Sequence, residues 1–375
     1  MSKKLKKNVP QLRFPEFKGD WQSKTLEELA EWSSGGTPSK EKLDYWNGDI
    51  PWISASSMYY DILFDSDQKI TELGLENGSR LATKGSILIL VRGSILYNRI
   101  PMGIAGRDLA FNQDVKCLKI HNKRELFFLF YWLKANENFL KSLVSGTGIG
   151  AGKLDTSQLK ELILFKPFIE EQEKIASFLR AVDRRLSQLR RKQELLQTYK
   201  RGVMQKIFSQ EIRFKGAIGS EFPDWEATNL GEIAKIKRGA SPRPISSSKW
   251  FSVKSNIGWV RISDVTKSDK YLDKTEQYLS ASGIEKSKFV SSENLIMSIC
   301  ATIGKPIINK IDVCIHDGFV VFENLKTDIL FTYFFLKRIE SGWKKYGQPG
   351  IQLNLNTDIV SNESIYLPSL EEQKK

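Results

Sequence analysis

Few residues in this 375-residue chain are grouped so that they can do chemistry. The strongest grouping is Gly146-Thr-Gly148-Ile-Gly150-Ala-Gly152-Lys153. A glycine-rich stretch closed by lysine has the composition of a loop that cradles phosphate with its backbone N–H groups. A nucleotide-binding loop of that kind needs glycine at position 147, where threonine stands, and Ser or Thr after the lysine, where Leu154 stands. The stretch therefore reads as a DNA-contacting or structural loop. Histidine acid–base chemistry has only His121 and His316 to draw on. Cys300, Cys314 and His316 lack the close ligand pair of a structural zinc site, so no metal is assigned. With Cys117 they make an odd set without disulfide-framework spacing. No Asn/Asp-Pro-Pro-aromatic tetrapeptide of an adenine-extruding methyltransferase occurs. Pro223-Asp224 begins the pattern of a metal-dependent nuclease, yet neither Glu226 nor Glu232 is followed by lysine two residues on. No catalytic residue is assigned.

Contact chemistry is better represented. The net charge is +13, from 57 Lys+Arg against 44 Asp+Glu, which favours a polyanionic partner. Base reading needs side chains such as Arg for guanine and Asn or Gln for adenine. Phosphate contacts need Lys, Arg, Ser, Thr or backbone N–H groups. In the first half of the chain the candidates are Thr37, Ser39 and Lys40 in a Gly-Gly-Thr-Pro loop, then Ser54, Ser56, Tyr59, Arg92, Arg99 and Lys153. In the second half they are Arg238, Ser241, Arg243, Lys249, Arg261, Ser263, Gln348, Gln352 and Asn354. Trp52 and Trp259 hold equivalent places in the two halves and read as scaffold, because residues that set specificity should differ.

The elements that hold these residues are duplicated. Trp21-Gln-Ser-Lys-Thr-Leu26-Glu-Glu28-Leu29-Ala30, leading to Gly35-Gly-Thr37-Pro38, returns as Trp225 to Ala234, leading to Gly239-Ala-Ser241-Pro242, with no gap. Pro167-Phe-Ile-Glu170-Glu171-Gln172 returns as Pro368-Ser-Leu-Glu371-Glu372-Gln373. A period of about two hundred residues is too long for a solenoid unit and marks a domain duplication. Strands are expected at Ile50–Ser54 and Gly85–Val91, and a helix from Arg124 to Val144 with Phe139 on its apolar face. Their counterparts are Trp259–Ser263, Asn294–Ile299 and Asp328–Lys345.

Between the copies, Glu170 to Phe208 contains no proline. Ile175, Leu179, Val182, Leu186, Leu189, Leu196, Val203 and Ile207 recur at heptad steps, with Gln193 and Lys200 interrupting the seam. A helix of this length spans roughly 60 Å. A lone amphipathic helix in water needs a partner, so this seam reads as a partner-binding coiled coil.

The Pro-x-x-Glu-Glu-Gln helix start, continued by Lys174-Ile175-Ala176 and Phe178-Leu179, with Asp183 and a Gly202-Val-Met-Gln-Lys-Ile-Phe208 ending, resembles the specificity subunit of type I restriction-modification systems. The wording Leu12-Arg13-Phe14-Pro15-Glu16-Phe17 fits the same family. The resemblance implies an α+β fold: two similar mixed α/β target-recognition domains joined by a long coiled-coil helix. The expected divisions are a basic tail 1–11, domain one 12–166, the conserved helix 167–209, domain two 210–367, and the start of a second conserved helix at 368–375. It implies a non-catalytic reader of a bipartite, asymmetric double-stranded DNA target. It also implies two methylation subunits and restriction subunits as partners. No cofactor is expected in this chain; S-adenosylmethionine, ATP and Mg would belong to the partners. Full members continue through a second long helix where this sequence stops, which raises the alternative of a truncated or split subunit that needs a second polypeptide. A catalytic DNA-modifying subunit is the remote alternative. No apolar run approaches the roughly 18 residues of a membrane span and the basic start has no hydrophobic follow-on, so the expected location is the cytoplasm.

Overall fold

The computed structural model describes residues 9–147, 150–346 and 355–375. The chain divides into two compact units, Met1–Arg191 and Lys192–Lys375. In the first, a five-stranded sheet runs in the order Ala30–Ser34, Val115–Ile120, Ile87–Leu90, Met102–Ala105, Ile62–Leu63. A four-stranded sheet has the order Lys69–Ile70, Trp46–Ile53, Leu109–Phe111, Arg80–Ala82. Its two central strands are parallel, with Trp52 beside Ala110.

The second unit repeats this strand for strand. Its five-stranded sheet is Lys235–Arg238, Phe319–Glu323, Asn294–Ser298, Pro306–Asn309, Tyr271–Leu272. Its four-stranded sheet is Gln277–Tyr278, Gly258–Val260, Val313–Ile315, Lys288–Val290, with Trp259 beside Cys314 in the parallel pair. The duplication visible in two motifs therefore extends through both of these sheets.

The central strands show why the chain folds this way. Ile87-Leu-Ile-Leu90 is an unbroken apolar run that must be covered on both faces, and all four residues are at most 1% exposed. Helix Leu126–Ala135 supplies Phe128, Leu129, Phe130 and Leu133 to the same core. In the second unit Leu295 and Met297 pack on the helical side while Ile296 packs in a separate cluster, as the two-residue period of a strand requires. The expected helix over 124–144 is broken. A 3-10 turn, Lys123–Glu125, precedes Leu126–Ala135, and a second helix, Glu137–Ser142, follows Asn136. The break turns Phe139 outward, leaving it 50% exposed instead of on the apolar face. Likewise Asp328–Lys345 resolves into helix Ile329–Ile339 and the 3-10 segment Glu340–Tyr346. Ile262 and Ser263, expected to extend the Trp259 strand, begin helix Ile262–Lys267 instead.

Each unit closes on itself by pairing its first strand with its last. Gln22–Thr25 lies antiparallel to Ile163–Lys166, and Glu226–Asn229 to Ser364–Leu367. The Pro-x-x-Glu-Glu-Gln motif follows each closing strand and has one geometry in both copies. Gln172 donates to Pro167 O at 2.8 Å, and Gln373 donates to Pro368 O at 2.8 Å. Glu171 and Glu372, each with a side chain 1% exposed, accept forked hydrogen bonds from Arg13 and Arg213. The motif thus fastens the start of each closing helix to an arginine that precedes the unit's first strand.

One helix, Ile169–Phe208, runs from the first unit into the second. Its first turns are tied to helix Leu126–Ala135 by Arg124 on Glu173, at 2.7 and 2.6 Å, and by Tyr131 on Asp183 at 2.6 Å. Its last turn packs Phe208 against Trp225, Phe331 and Phe335. Every residue from Ala181 to Arg201 is exposed. The heptad residues divide accordingly. Ile175, Leu179, Val203 and Ile207 are half-buried within their own units, Ile175 against the first core. Val182, Leu186, Leu189 and Leu196 are 40–56% exposed.

Candidate nucleic-acid interface

The Gly-x-Thr/Ser-Pro loop follows the edge strand of each five-stranded sheet. It is held by close backbone approach to the turn after the parallel strand. Gly36 N donates to Phe111 O at 2.9 Å, and Ala240 N to Ile315 O at 3.1 Å. A Cβ on Gly35 would sit 2.0 Å from Phe111 O, and one on Gly239 would sit 2.0 Å from His316 O. The first glycine is thus required in both copies by lack of space. The second is required by space in the first copy alone: a Cβ on Gly36 would sit 2.4 Å from Gly78 O, whereas Ala240 is accommodated at the equivalent place.

The hydroxyl of the motif makes the same contact twice. Thr37 donates to Gln113 Oε1 at 2.6 Å, and Ser241 donates to Asp317 Oδ1 at 2.7 Å. Trp52 is 5% exposed and donates from Nε1 to Gly36 O at 3.0 Å, so it supports the loop from beneath. Trp259, 3% exposed, lies against His316. Both tryptophans are packing residues.

In the first unit Ser39 and Lys40 are exposed on the loop, and Ser39 O accepts from Trp46 Nε1 at 3.0 Å. Ser54 and Ser56 share a hydroxyl contact of 3.0 Å in the 3-10 turn after strand Trp46–Ile53. Arg99 lies 5.1 Å from the exposed Tyr59 ring and donates to Met58 O at 3.0 Å, so part of its guanidinium is committed to its own unit. Lys116, beside the loop on Ser34, has its pKa lowered by burial.

The glycine-rich stretch around Lys153 forms a hairpin. Ser145–Gly146 pairs with Gly152–Lys153, which pairs in turn with Arg92–Gly93. Lys153 and Arg92 are direct cross-strand partners, and both are exposed. Like charges placed opposite each other destabilise a sheet, and Asp155 Oδ2, 3.6 Å from Lys153 Nζ, offsets part of that repulsion here. The helix that follows, Thr156–Lys160, already has its first N–H groups capped by Asp155, at 2.8 Å to Ser157 and 3.3 Å to Gln158. That occupancy removes the helix-terminus anion site a nucleotide loop relies on.

In the second unit the loop gathers several of the expected residues. Arg238 donates from Nε to Asp317 O at 2.7 Å, and Arg243 donates from Nη2 to Asp317 Oδ2 at 3.2 Å. The Ser241 hydroxyl, then a hydrogen bond from the residue's own backbone N–H, and after them the charge of Arg243 hold the Asp317 carboxyl below its ordinary value against the opposing effect of burial. Lys249 lies 4.2 Å from the Trp250 ring, and Trp250 donates to Pro244 O, which brings Lys249 to the same loop. Arg261 donates to Gln277 Oε1 at 3.4 Å, and after burial its charge helps lower the pKa of His316. Ser263 is half-buried in the first turn of its helix. Gln348, Gln352 and Asn354 lie outside the described residues.

Gln113 and Asp317 were missed by sequence reasoning. They are displaced from each other as Trp21 is from Trp225, but Trp52 and Trp259 between are out of step, so the motif repeat alone does not lead to them. Among the described residues no three His, Cys, Asp or Glu side chains group to hold a metal, and no helix is long and apolar enough to cross a membrane. Cys117 and Cys314 are buried in strands, and His316 Nδ1 accepts from Gly318 N at 2.8 Å.

Comparison with known proteins agrees with this duplicated arrangement. The family model for the type I restriction modification DNA specificity domain matches residues 18–197 and again 223–375. The specificity subunit of the EcoR124I/EcoR124II type I restriction enzyme of Escherichia coli is 32% identical over 174 residues, 46% of this chain and 43% of that protein. The MjaIX specificity subunit of Methanocaldococcus jannaschii is 29% identical over 236 residues, 59% of this chain and 53% of that protein. The chain thus spans about half the length of these two relatives. Against the MjaVIII specificity subunit of the same organism the match is 27% over 389 residues, covering 98% of this chain and 86% of the relative. The solved S subunit of a type I restriction-modification system from M. genitalium superposes with a TM-score of 0.59 at 18% identity, over 98% of this chain and 89% of that one. At that identity the likeness is one of fold.

Proposed function

The chain belongs to the type I restriction modification DNA specificity family, and from that premise we propose that it is a non-catalytic reader of a bipartite, asymmetric sequence in double-stranded DNA. Each unit would read one half of the target. Two methylation subunits would dock on it, with restriction subunits completing an adenine methyltransferase and endonuclease. S-adenosylmethionine, ATP and Mg would act in those partners, and the cytoplasm is where such an assembly meets its DNA.

The observation that carries this reading is one loop frame built twice and fitted with different side chains. The backbone contacts at Gly35 and Gly239 are the same, while Gln113 faces Thr37 in one unit and Asp317 faces Ser241 in the other. A scaffold repeated for strength alone has no need of that divergence. The chain's +13 charge supplies attraction that is independent of sequence.

Binding to duplex DNA, measured by footprinting across a salt series, tests the reading. The logarithm of the binding constant is expected to fall linearly with the logarithm of the salt concentration, because each neutralised phosphate releases counterions. Binding indifferent to salt would refute it. Replacing residues 12–166 by the matching domain of a relative is expected to change one half of the target and leave the other intact.

A further inference from the structure

At the contact between the motif hydroxyl and its partner the two copies share a frame and differ in chemistry. In the first unit Gln113 is exposed, and its Oε1 accepts from Thr37. No hydrogen bond is found from its amide nitrogen to the described residues. An amide oxygen has a second lone pair, so Gln113 keeps two N–H donors and one acceptor site. That donor–acceptor pair matches N6 and N7 of adenine. Thr37 fixes the plane in which it is presented.

In the second unit Asp317 is engaged at both oxygens, by Ser241 and by Arg243, and its carbonyl accepts from Arg238. Its carboxylate is not free for a base. Arg243, in contrast, has a side chain 75% exposed and spends one Nη2 hydrogen bond on Asp317. An exposed ion pair adds little stability, so the value of this one lies in orienting a flexible side chain. The remaining edge of the guanidinium suits the O6 and N7 acceptors of guanine.

We propose that positions 113 and 317 set the base preference of the two units: Gln113 reads an adenine directly, and Asp317 acts as a positioning residue that holds Arg243 against a guanine. Both readings are of purine major-groove edges, and two differences in a duplicated frame, Gln113 against Asp317 and Ser39 against Arg243, make the half-sites unequal. The proposal rests on the DNA-reading function above.

Selection of bound sequences from a randomised duplex library by the full chain, with its partner subunits where assembly requires them, tests this. Gln113→Glu keeps an acceptor for Thr37 and removes the N–H donors. It is expected to reduce preference for adenine at one position of one half-site by about 5- to 150-fold, the discrimination one bidentate contact carries. The other half-site should be unaffected. Asp317→Asn keeps an acceptor for Ser241 and removes the charge facing Arg243; guanine preference at one position of the second half-site should weaken. Arg243→Lys, which cannot grip bidentately, should remove that preference. Variants that lower binding to every sequence equally, or that enrich the wild-type target unchanged, would show that these residues only anchor loops and would overturn the proposal while leaving DNA reading intact. A wild-type chain that enriches no sequence would overturn both. Circular dichroism of each variant, expected to match the wild type, separates loss of reading from loss of fold.

Discussion

Substituting alanine for Gly35 tests how tightly the recognition loop is built. The added Cβ would lie 2.0 Å from Phe111 O and 2.5 Å from Asn112 O, against a practical limit of 3.0 Å. Both obstacles are backbone, so no side chain can swing away. The loop or the turn must shift by about 1 Å or more, an overpacking strain of about 1–3 kcal/mol. That shift also stretches the 2.9 Å bond from Gly36 N to Phe111 O and the 2.6 Å bond from Thr37 to Gln113. Each is worth about 0.5–1.5 kcal/mol net. The first unit should therefore lose about 2–6 kcal/mol in denaturant unfolding, and preference at one half-site should fall with it. Gly239→Ala should do the same to the other half-site, because its Cβ meets His316 O at the same distance. Gly36→Ala makes a discriminating companion. Its Cβ would meet Gly78 O at 2.4 Å, although Ala240 is accommodated at the equivalent place. Wild-type stability and an unchanged target for Gly35→Ala would refute the close-packed frame.

Arg92→Ala or Lys153→Ala removes one member of the exposed cross-strand cation pair; binding should weaken about equally on all sequences, the salt slope should drop by about one, and stability should not fall. The double variant Leu186→Asp, Leu189→Asp alters residues already 44% and 46% exposed, so the chain alone should keep its unfolding midpoint while co-purification with methylation subunits is lost; normal assembly would show that the seam is not an interface. Asp317 has a depressed carboxyl pKa, so its hold on Arg243 is present above the ordinary Asp value and is lost only as pH falls through the lower folded value. His316 Nδ1 lies 3.8 Å from Asp317 Oδ1 and burial lowers its pKa, so above about pH 7 neither group changes charge; sequence preference in the second half-site should accordingly be constant from about pH 7 to 9, and a change within that window would remove Asp317 from the argument.

The parts of this molecule that were legible in the sequence are those where one physical rule acts alone. The heptad seam of Ile169–Phe208 is a period written in apolar residues, and the glycine of each recognition loop survives beside proline because no Cβ fits. Trp52 and Trp259 could be assigned to packing because they recur. The break at Asn136 was hidden, since apolar spacing continues through Phe139 even though the backbone turns and the Asn136 side chain donates to Trp132 O. Gln113 and Asp317 were hidden for a different reason. The tryptophans fall out of step with the motif repeat, as an insertion requires, and the step is restored only in the strand that leads to these two residues, from Ala110 and Cys314 onward. Polar residues in turns carry no periodic signal, so their pairing with Thr37 and Ser241 is visible only in three dimensions. The role of Pro-x-x-Glu-Glu-Gln was equally obscure, because its arginine partners lie far away along the chain at positions 13 and 213.

The bare middle of the long helix has a consequence for the life of the protein in a cell. From Ala181 to Arg201 every residue is exposed, and the apolar seam there sits among Arg184, Arg185, Arg190 and Lys192. Exposed apolar surface on an accessible segment is what chaperones and degradative proteases recognise. A copy of the chain synthesised in excess of its partners would carry that mark openly, and one sheathed in an assembly would not. The same residues that would recruit partners would then also meter the chain's abundance, matching its survival to the supply of subunits able to cover it.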